Sequence, residues 1–430
     1  MSVPPVSCRK FQETVLFGED QLEKKPTIIV YRDILLNISE GFVLSQGEAL
    51  KDFVPHYFGS RLVTGLNVPL DRRLVLNRRG VRGNCAEMLF KLCGFAPRFS
   101  RAIRRLKPVL LHAHFGVDGA FILPVASAMH VPLVVTFHGY DATMHDAFAR
   151  NAYFGLRLYV RRREELNREA RLFIAVSGFI KRQLVERGFS EDKVLVHYMG
   201  VDVDLFRPDP NVCREPVILF VGRLSEEKGC EHLIRAVAKV QESVRDVKMV
   251  VIGEGVLRTR LERMAGERLL RYEFMGSQKQ TVVRYWMNRA RVLCVPSVAI
   301  DTGQAEAFGL VFAESQAMGL PVVSVATGGI PEAVAHGETG FLADKPDDAL
   351  LAKYICLLIT DRELLQRFSV AGRKRVESMF NLRRQTDELE NVYRSIQAEA
   401  MADACIRKTV SWETHRKRGR DVLHALLKLS

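Results

Sequence analysis

Short β-branched runs recur along this chain at spacings that leave room for a helix between them, and they do so in two series. Residues 27–31, 61–65, 109–113, 133–137, 172–176 and 193–197 make up the first, and 217–221, 248–252, 272–275, 292–295 and 322–325 the second. Strands alternating with amphipathic segments are joined by crossovers and lie parallel, which predicts an α/β architecture. Two series suit a chain of 430 residues, too long for one comfortable core. Between them stand Pro208, Pro210 and Pro216 among polar residues, the composition of a linker. The expected organisation is a Rossmann-like acceptor-side domain over 1–206, a linker over 207–216, a second Rossmann-like domain over 217–380, and a crossover helix with a basic tail over 381–430. Two such domains facing each other bring the carboxyl ends of both sheets to one cleft, where nucleotides bind.

Charge and cysteines narrow the partners. A formal net charge of +13 calls for anionic ligands or surfaces. No zinc-finger spacing, basic run leading into heptads or RNP-like aromatic pair accompanies it, so nucleic acid is not expected. Eight cysteines without a C-x-x-C pair suggest neither a disulfide framework nor a zinc knuckle, and favour a reducing cytoplasm. Residues 1–12 lack the apolar core of a secretory signal, and the most apolar stretch, 120–137, is broken by Pro124, His130 and Pro132 into a helix followed by a strand. The expectation is a cytoplasmic protein, peripheral on the inner face of the plasma membrane. Its candidate contacts with anionic lipid are Arg72, Arg73, Arg78, Arg79 and Arg82, then Arg101, Arg104, Arg105 and Lys107, then Arg157, Arg161, Arg162 and Arg163. The competing account of these arginines is an ordinary solvated helix face.

The sharpest chemical signal is the segment 305–314, where Glu306 and Glu314 straddle Gly309 and a predicted helix start near Leu310. An isolated pair at this spacing would be a solvated helix turn. Here the free N–H groups of 309–311 suit a phosphate, and Arg223 and Lys228 lie on a glycine-bounded loop after a buried strand. A guanidinium fork and an ammonium point charge together suit a pyrophosphate. Downstream, residues 322–332 give strand, turn and short helix, with Gly328 and Gly329 read as simple turn residues.

These segments resemble the donor half of the family 4 retaining glycosyltransferases. The motifs are G-R-L-x4-K-G from Gly222, E-A-F-G-L-V-F-A-E from Glu306, and G-L-P-V-V-S-V-A-T-G-G-I-P-E-A-V from Gly319, within a match from about Thr27 to Asn391. The resemblance implies the GT-B architecture and transfer of a hexose from a nucleotide diphosphate sugar, with no metal and no cofactor. It also implies a saccharide or polyprenyl-diphosphate-linked acceptor, as in bacterial exopolysaccharide and capsule synthesis. By the same resemblance Arg223 and Lys228 bind the diphosphate, Glu306 holds hydroxyls of the transferred sugar, and the backbone of Phe308, Gly309 and Leu310 cradles sugar and phosphate. Glu314 then holds the ribose, and the backbone around Gly276 meets the base. In the first half, segment 38–43 with Glu40 and Gly41 resembles a loop beneath the donor phosphates. Segments 112–116 and 136–141 resemble family signatures carrying His114, His138 and Asp141, with His138 at the reacting centre. Departures from the family pattern are Ala307 in place of a glycine, a single glycine at Gly41, and an insertion at 299–304.

Other readings weigh less. His112 and His114 form an H-x-H without a third ligand at metal spacing. Asp202 and Asp204 form a D-x-D, but in a stretch matching the approach to the hinge. Gly253 and Gly255 form a fragment that a tight strand-to-helix turn explains. A phosphorylase of this shape would need a pyridoxal lysine and a longer chain. A nucleotide-sugar epimerase and a catalytically silent scaffold remain as competing functions, the latter opposed by the presence of Arg223, Lys228 and Glu306.

Overall fold

The computed structural model describes residues 25–403 apart from 36, 38, 39 and 64. The basic tail with Trp412, and Ile38 and Ser39 of the segment before Glu40, lie outside the described residues.

Along the first half the strands are β1 (Thr27–Tyr31), β2 (Ile34–Leu35), β3 (Val54–Gly59), β4 (Arg61–Leu62), β5 (Arg73–Val75), β6 (Leu110–His114), β7 (Leu133–Phe137), β8 (Leu172–Ala175) and β9 (Val194–Val196). Seven of them form a parallel sheet in the order β5-β3-β1-β6-β7-β8-β9, while β2 and β4 pair apart. The second half contributes β10 (Val217–Val221), β11 (Lys248–Ile252), β12 (Tyr272–Phe274), β13 (Val292–Cys294), β14 (Val322–Val325) and β15 (Gly340–Ala343), in the parallel order β12-β11-β10-β13-β14-β15. Both orders reverse direction at their first strand, between β1 and β6 and between β10 and β13. Crevices open beyond the carboxyl ends of strands at such switch points.

Strands β6 and β7 are buried along their whole length, and β10 up to Val221, because helices cover both faces. Helix Gly116–Met129 is mostly buried and fills the space over β6 and β7, which is where the apolar stretch with Pro124 goes. One expected strand is misplaced. Residues 61–65 supply only β4, and the sheet position beside β1 is taken by β3, whose Tyr57 and Phe58 carry the bulk the core needs. Pro55 and His56 disguise β3 in the sequence, since proline argues against an interior strand.

The final helix, 382–403, returns to the first domain. Leu389, Tyr393 and Ile396 join one buried cluster with Ile28, Val30, Leu110, Val134 and Ile174. Glu390, almost fully buried, accepts hydrogen bonds from the backbone of Lys51 and Asp52, both at 2.7 Å. Asp202 and Asp204 are engaged locally: the first caps a turn through the N–H groups of Asp204 and Leu205, and the second pairs with Arg383 at 2.7 Å.

Candidate active site at the interdomain cleft

The donor side is built from loops that interlock at the ends of β10, β11 and β12. The N–H of Gly222 donates to Ile252 at 3.0 Å and that of Leu224 to Glu254 at 2.8 Å. A Cβ on Gly253 would stand 1.8 Å from the Gly222 carbonyl oxygen, so this glycine is there for backbone approach. Gly276 also has a positive φ, 68°, and its carbonyl accepts from Gly253 at 2.9 Å, which places the 275–277 backbone beside the loop that starts at Gly222.

Lys228 ends the short helical turn Glu226–Lys228, and its ammonium is ion-paired with Glu306, whose same oxygen lies 3.4 Å from Ser297 Oγ. Only 18% of the Lys228 side chain and 13% of the Glu306 side chain is exposed. Lys228 is therefore set into the wall of the cleft, not free on its rim. Arg223 is the rim residue, with 71% of its side chain exposed and Glu227 at 4.0 Å.

Glu306 is held by backbone packing on both sides. Gly309 adopts φ 79° and ends the loop directly before helix Leu310–Ala317; a Cβ there would strike the Phe312 ring at 2.4 Å. The first N–H groups of that helix have no intrahelical acceptor. Gly328 and Gly329 are more than turn residues: a Cβ on either would come within 2.1 or 1.9 Å of the Glu306 or Ala307 carbonyl oxygen, and the Gly329 N–H donates to Glu306 at 2.8 Å. The Phe308 side chain is fully buried against Tyr198 and Phe380, leaving its backbone for the cleft. Glu314, half-buried one turn into the helix, has no hydrogen-bond partner among the described residues, and desolvation pushes its carboxyl up to about 8.

On the facing side His138 follows β7. Its Nε2 meets His114 Nδ1 at 3.0 Å, its Nδ1 is buried without a partner among the described residues, and its ring packs between Phe42 and Phe115. Burial, with Arg32 and His112 nearby, drives its pKa down to about 3, so the ring is neutral at physiological pH. His112 is a satisfied core residue, 2.6 Å from both Tyr393 OH and Thr136 Oγ1. Asp141 is buried and accepts from the N–H groups of Gly116 at 2.8 Å, Gly139 at 2.9 Å and His138 at 3.3 Å. It therefore shapes the His138 loop from behind. Glu40 precedes helix Gly41–Glu48 and is paired with Arg32 at 2.8 Å, which also grips Asp118 at 2.6 Å. Arg32 thus joins the loop before Gly41 to the helix after His114.

Residues 62–205 match the family described as Glycosyltransferase Family 4, and residues 204–375 match Glycosyl transferases group 1. A D-inositol 3-phosphate glycosyltransferase of Thermomonospora curvata is 31% identical over 339 residues, covering 71% of this chain and 77% of that protein. The chain belongs to the family 4 glycosyltransferases. Its relatives include the amylovoran biosynthesis glycosyltransferase AmsK of Erwinia amylovora, 26% identical over 62% of this chain and 65% of its own length. WcaL of Escherichia coli K12, named a putative colanic acid biosynthesis glycosyltransferase, is 29% identical over 63% of this chain and 66% of its own length. Among solved structures, HepE of Anabaena in complex with UDP and glucose superposes with a TM-score of 0.69, over 86% of this chain and 100% of that chain, at 19% identity. Sucrose-phosphate synthase of Thermosynechococcus elongatus gives 0.70 over 87% of this chain and 100% of that one, at 21% identity. The fold of this glycosyltransferase is GT-B, two facing Rossmann-like domains.

Three features of the glycosyltransferase's cleft were not singled out from the sequence. Glu332, from the second domain, accepts from the N–H groups of Gly178 at 2.7 Å and Phe179 at 2.8 Å and from Tyr198 OH at 3.0 Å, all in the first domain. Ser177 Oγ donates across the same junction to the Ala307 carbonyl at 2.6 Å. The insertion also touches the first domain: the His145 N–H donates to Thr302 O at 2.8 Å. Ala307, where the family has glycine, finds room for its methyl opposite Gly139, on which a Cβ would sit 3.5 Å away.

The Glu314 carboxyl has a consequence for stability. Its pKa rises from the ordinary 4.5 to about 8 on folding, so the folded state holds an extra proton between those values. That contribution is complete below the unfolded pKa and is lost as pH rises through the folded one. The urea midpoint of the wild type is expected to fall from about pH 5 to about pH 8.5 more steeply than that of Glu314→Gln. Equal slopes would assign the pH dependence elsewhere.

Proposed function

We propose that this glycosyltransferase moves a hexose from a nucleotide diphosphate sugar to a saccharide or polyprenyl-diphosphate-linked acceptor in polysaccharide biosynthesis, with retention of configuration and without a divalent metal. The observation that carries this reading is the Lys228–Glu306 pair set beside the open helix start after Gly309. Negative charge grows on the leaving diphosphate as the sugar departs. Lys228, the N–H groups of that helix and the exposed guanidinium of Arg223 meet it, leaving Glu306 to hold sugar hydroxyls and Glu314 the ribose. A single preorganised donor of this kind is worth roughly 3 kcal/mol in a transition state.

Retention through a covalent intermediate would need a free carboxylate on the acceptor side. The two carboxylates nearest the His138 and Gly41 loops are otherwise engaged: Asp141 accepts three backbone N–H groups and Glu40 is paired with Arg32. This supports attack on the face the diphosphate leaves, with the departing phosphate taking the acceptor's proton and neutral His138 positioning both reactants. The names of AmsK and WcaL support a polysaccharide product, and HepE with UDP and glucose supports a nucleotide sugar as donor. An epimerase or silent scaffold has no use for a preset ammonium–carboxylate pair at a diphosphate loop. Proton NMR of the product formed with EDTA present tests the reading. An α-linked donor should give an α-linked product, and a β product, or activity restored only by Mn²⁺, would overturn it.

We also propose peripheral docking of the first domain on anionic membrane. Helix Gly80–Cys93 turns Val81, Met88, Leu89 and Leu92 to solvent, with Phe95 beyond it and Arg78, Arg79 and Arg82 at its start. Such an apolar stripe with basic flanks suits a lipid interface. Arg162 and Arg163 do not serve this role: the first donates to the carbonyls of Leu92 and Ala120, and the second forks onto Asp146. Vesicles containing phosphatidylglycerol are expected to sediment the protein, with salt weakening binding and Met88→Asp with Leu92→Asp abolishing it. Retention of binding in that double variant would exclude the helix.

A further inference from the structure

Helix Phe154–Glu169 places Arg157, Val160, Arg161 and Glu164 at three- and four-residue intervals on one face. Facing them, Arg150 and Arg187 close a cavity of about 600 Å³ that also takes in Arg163. The inner guanidinium groups are fixed. Arg163 forks onto Asp146 at 2.8 and 2.6 Å, and Arg187 reaches Asp146 at 3.1 Å and the Thr143 carbonyl at 2.8 Å. Arg187 Nε is buried with no acceptor among the described residues. Arg150, Arg157 and Arg161 have no ion-pair partner among the described residues, so the arginines outnumber Asp146 and Glu164.

The cavity is joined to the His138 segment through Asp146, which Arg163 and Arg187 both hold. His138, the short helix Tyr140–Thr143, and Asp146 follow one another along a single segment. His145 of that segment donates to Thr302 in the insertion before Glu306. The eight residue steps from His138 to Asp146 hold the single turn Tyr140–Thr143 between extended residues and so reach no further than roughly 20 Å, the length of a few sugar rings.

We propose that this cavity is an acceptor subsite for an anionic sugar unit, held through its carboxylate a few rings back from the hydroxyl that is glycosylated. The proposal rests on the saccharide-acceptor reading above. Arginine presents a planar fork that takes both oxygens of a carboxylate, and groups already oriented by Asp146 lose little freedom on binding. The size suits one or two sugar rings, within the range of small-molecule sites. A lipid surface fits this place poorly. Arg163 and Arg187 are only 19% and 15% exposed at the floor of a concavity, where a flat bilayer does not reach and a flexible saccharide does.

Titration calorimetry with trigalacturonate, maltotriose and inorganic phosphate tests the subsite on the full chain. Trigalacturonate should bind, maltotriose should not, and Arg157→Gln with Arg161→Gln should weaken trigalacturonate by roughly tenfold or more, as expected for two lost charge-assisted contacts. Slow hydrolysis of nucleotide sugar should be unchanged in that variant, because neither arginine belongs to the donor site. No trigalacturonate binding, equal affinity for phosphate, or indifference to the double variant would each overturn the subsite. If the wild type hydrolyses no nucleotide sugar while trigalacturonate still binds, the donor reading fails and the subsite stands.

Discussion

Glu306→Gln is expected to lower sugar transfer by about 10²- to 10³-fold, the scale seen when one preorganised polar group at a developing charge is removed. The substitution keeps the shape of the side chain and removes the charge that holds Lys228 in the cleft wall. Lys228→Ala should cost as much, because it removes the ammonium and leaves Glu306 without its partner. Combining the two should cost little more than either, since groups that act as one unit are strongly non-additive. Arg223→Ala, at an exposed position with its nearest carboxylate 4.0 Å away, should cost less, roughly tenfold. Nucleoside diphosphate release and urea unfolding, measured together, check this set. Additive losses at Lys228 and Glu306 would mean that the pair is not a catalytic unit.

The second large effect is expected at Glu332. Its carboxylate takes two backbone N–H groups at the start of helix Gly178–Glu186 and the Tyr198 hydroxyl, all from the opposite domain. Helix N-termini favour negative charge, and charge-assisted hydrogen bonds contribute about 1.5–3 kcal/mol each. Glu332→Ala should therefore loosen the closed arrangement of the domains. Transfer is expected to fall by roughly 10- to 100-fold with a raised KM for the donor, and the radius of gyration in solution should increase. The urea midpoint should fall as well, because one apolar cluster runs through both domains and the junction loses three hydrogen bonds. Unchanged scattering and kinetics would reduce this carboxylate to a surface contact.

The fold was legible where strands are apolar on both faces and sharply bounded. Strands β10 and β11 are of that kind, the first bounded by Pro216 and Gly222. Strand β3 was not, because Pro55 and His56 break its pattern and its place is decided by packing of Tyr57 and Phe58. On the donor side, glycines, a charged loop and the E-x7-E segment carry their chemistry in contiguous sequence. What the sequence concealed is relational. Glu332 and Ser177 matter only because of how the domains face one another, and Arg32 meets Asp118 from 86 positions away. The burial of Lys228 left no local sign, because its partner lies 78 positions along the chain. Asp141 stands in a signature segment, but its engagement with backbone N–H groups leaves no mark in the sequence.

In the proposed function, the cleft lined by Lys228, Glu306 and Glu314 binds and activates a nucleotide diphosphate sugar. Purified protein incubated with a panel of uridine and guanosine diphosphate sugars, in EDTA and without acceptor, tests it most directly through slow release of the nucleoside diphosphate. Release from at least one donor by the wild type, lost in Glu306→Gln while the variant remains folded, is the expected result. Release that persists undiminished in Glu306→Gln, or a wild type that neither binds nor hydrolyses any member of the panel, would contradict it.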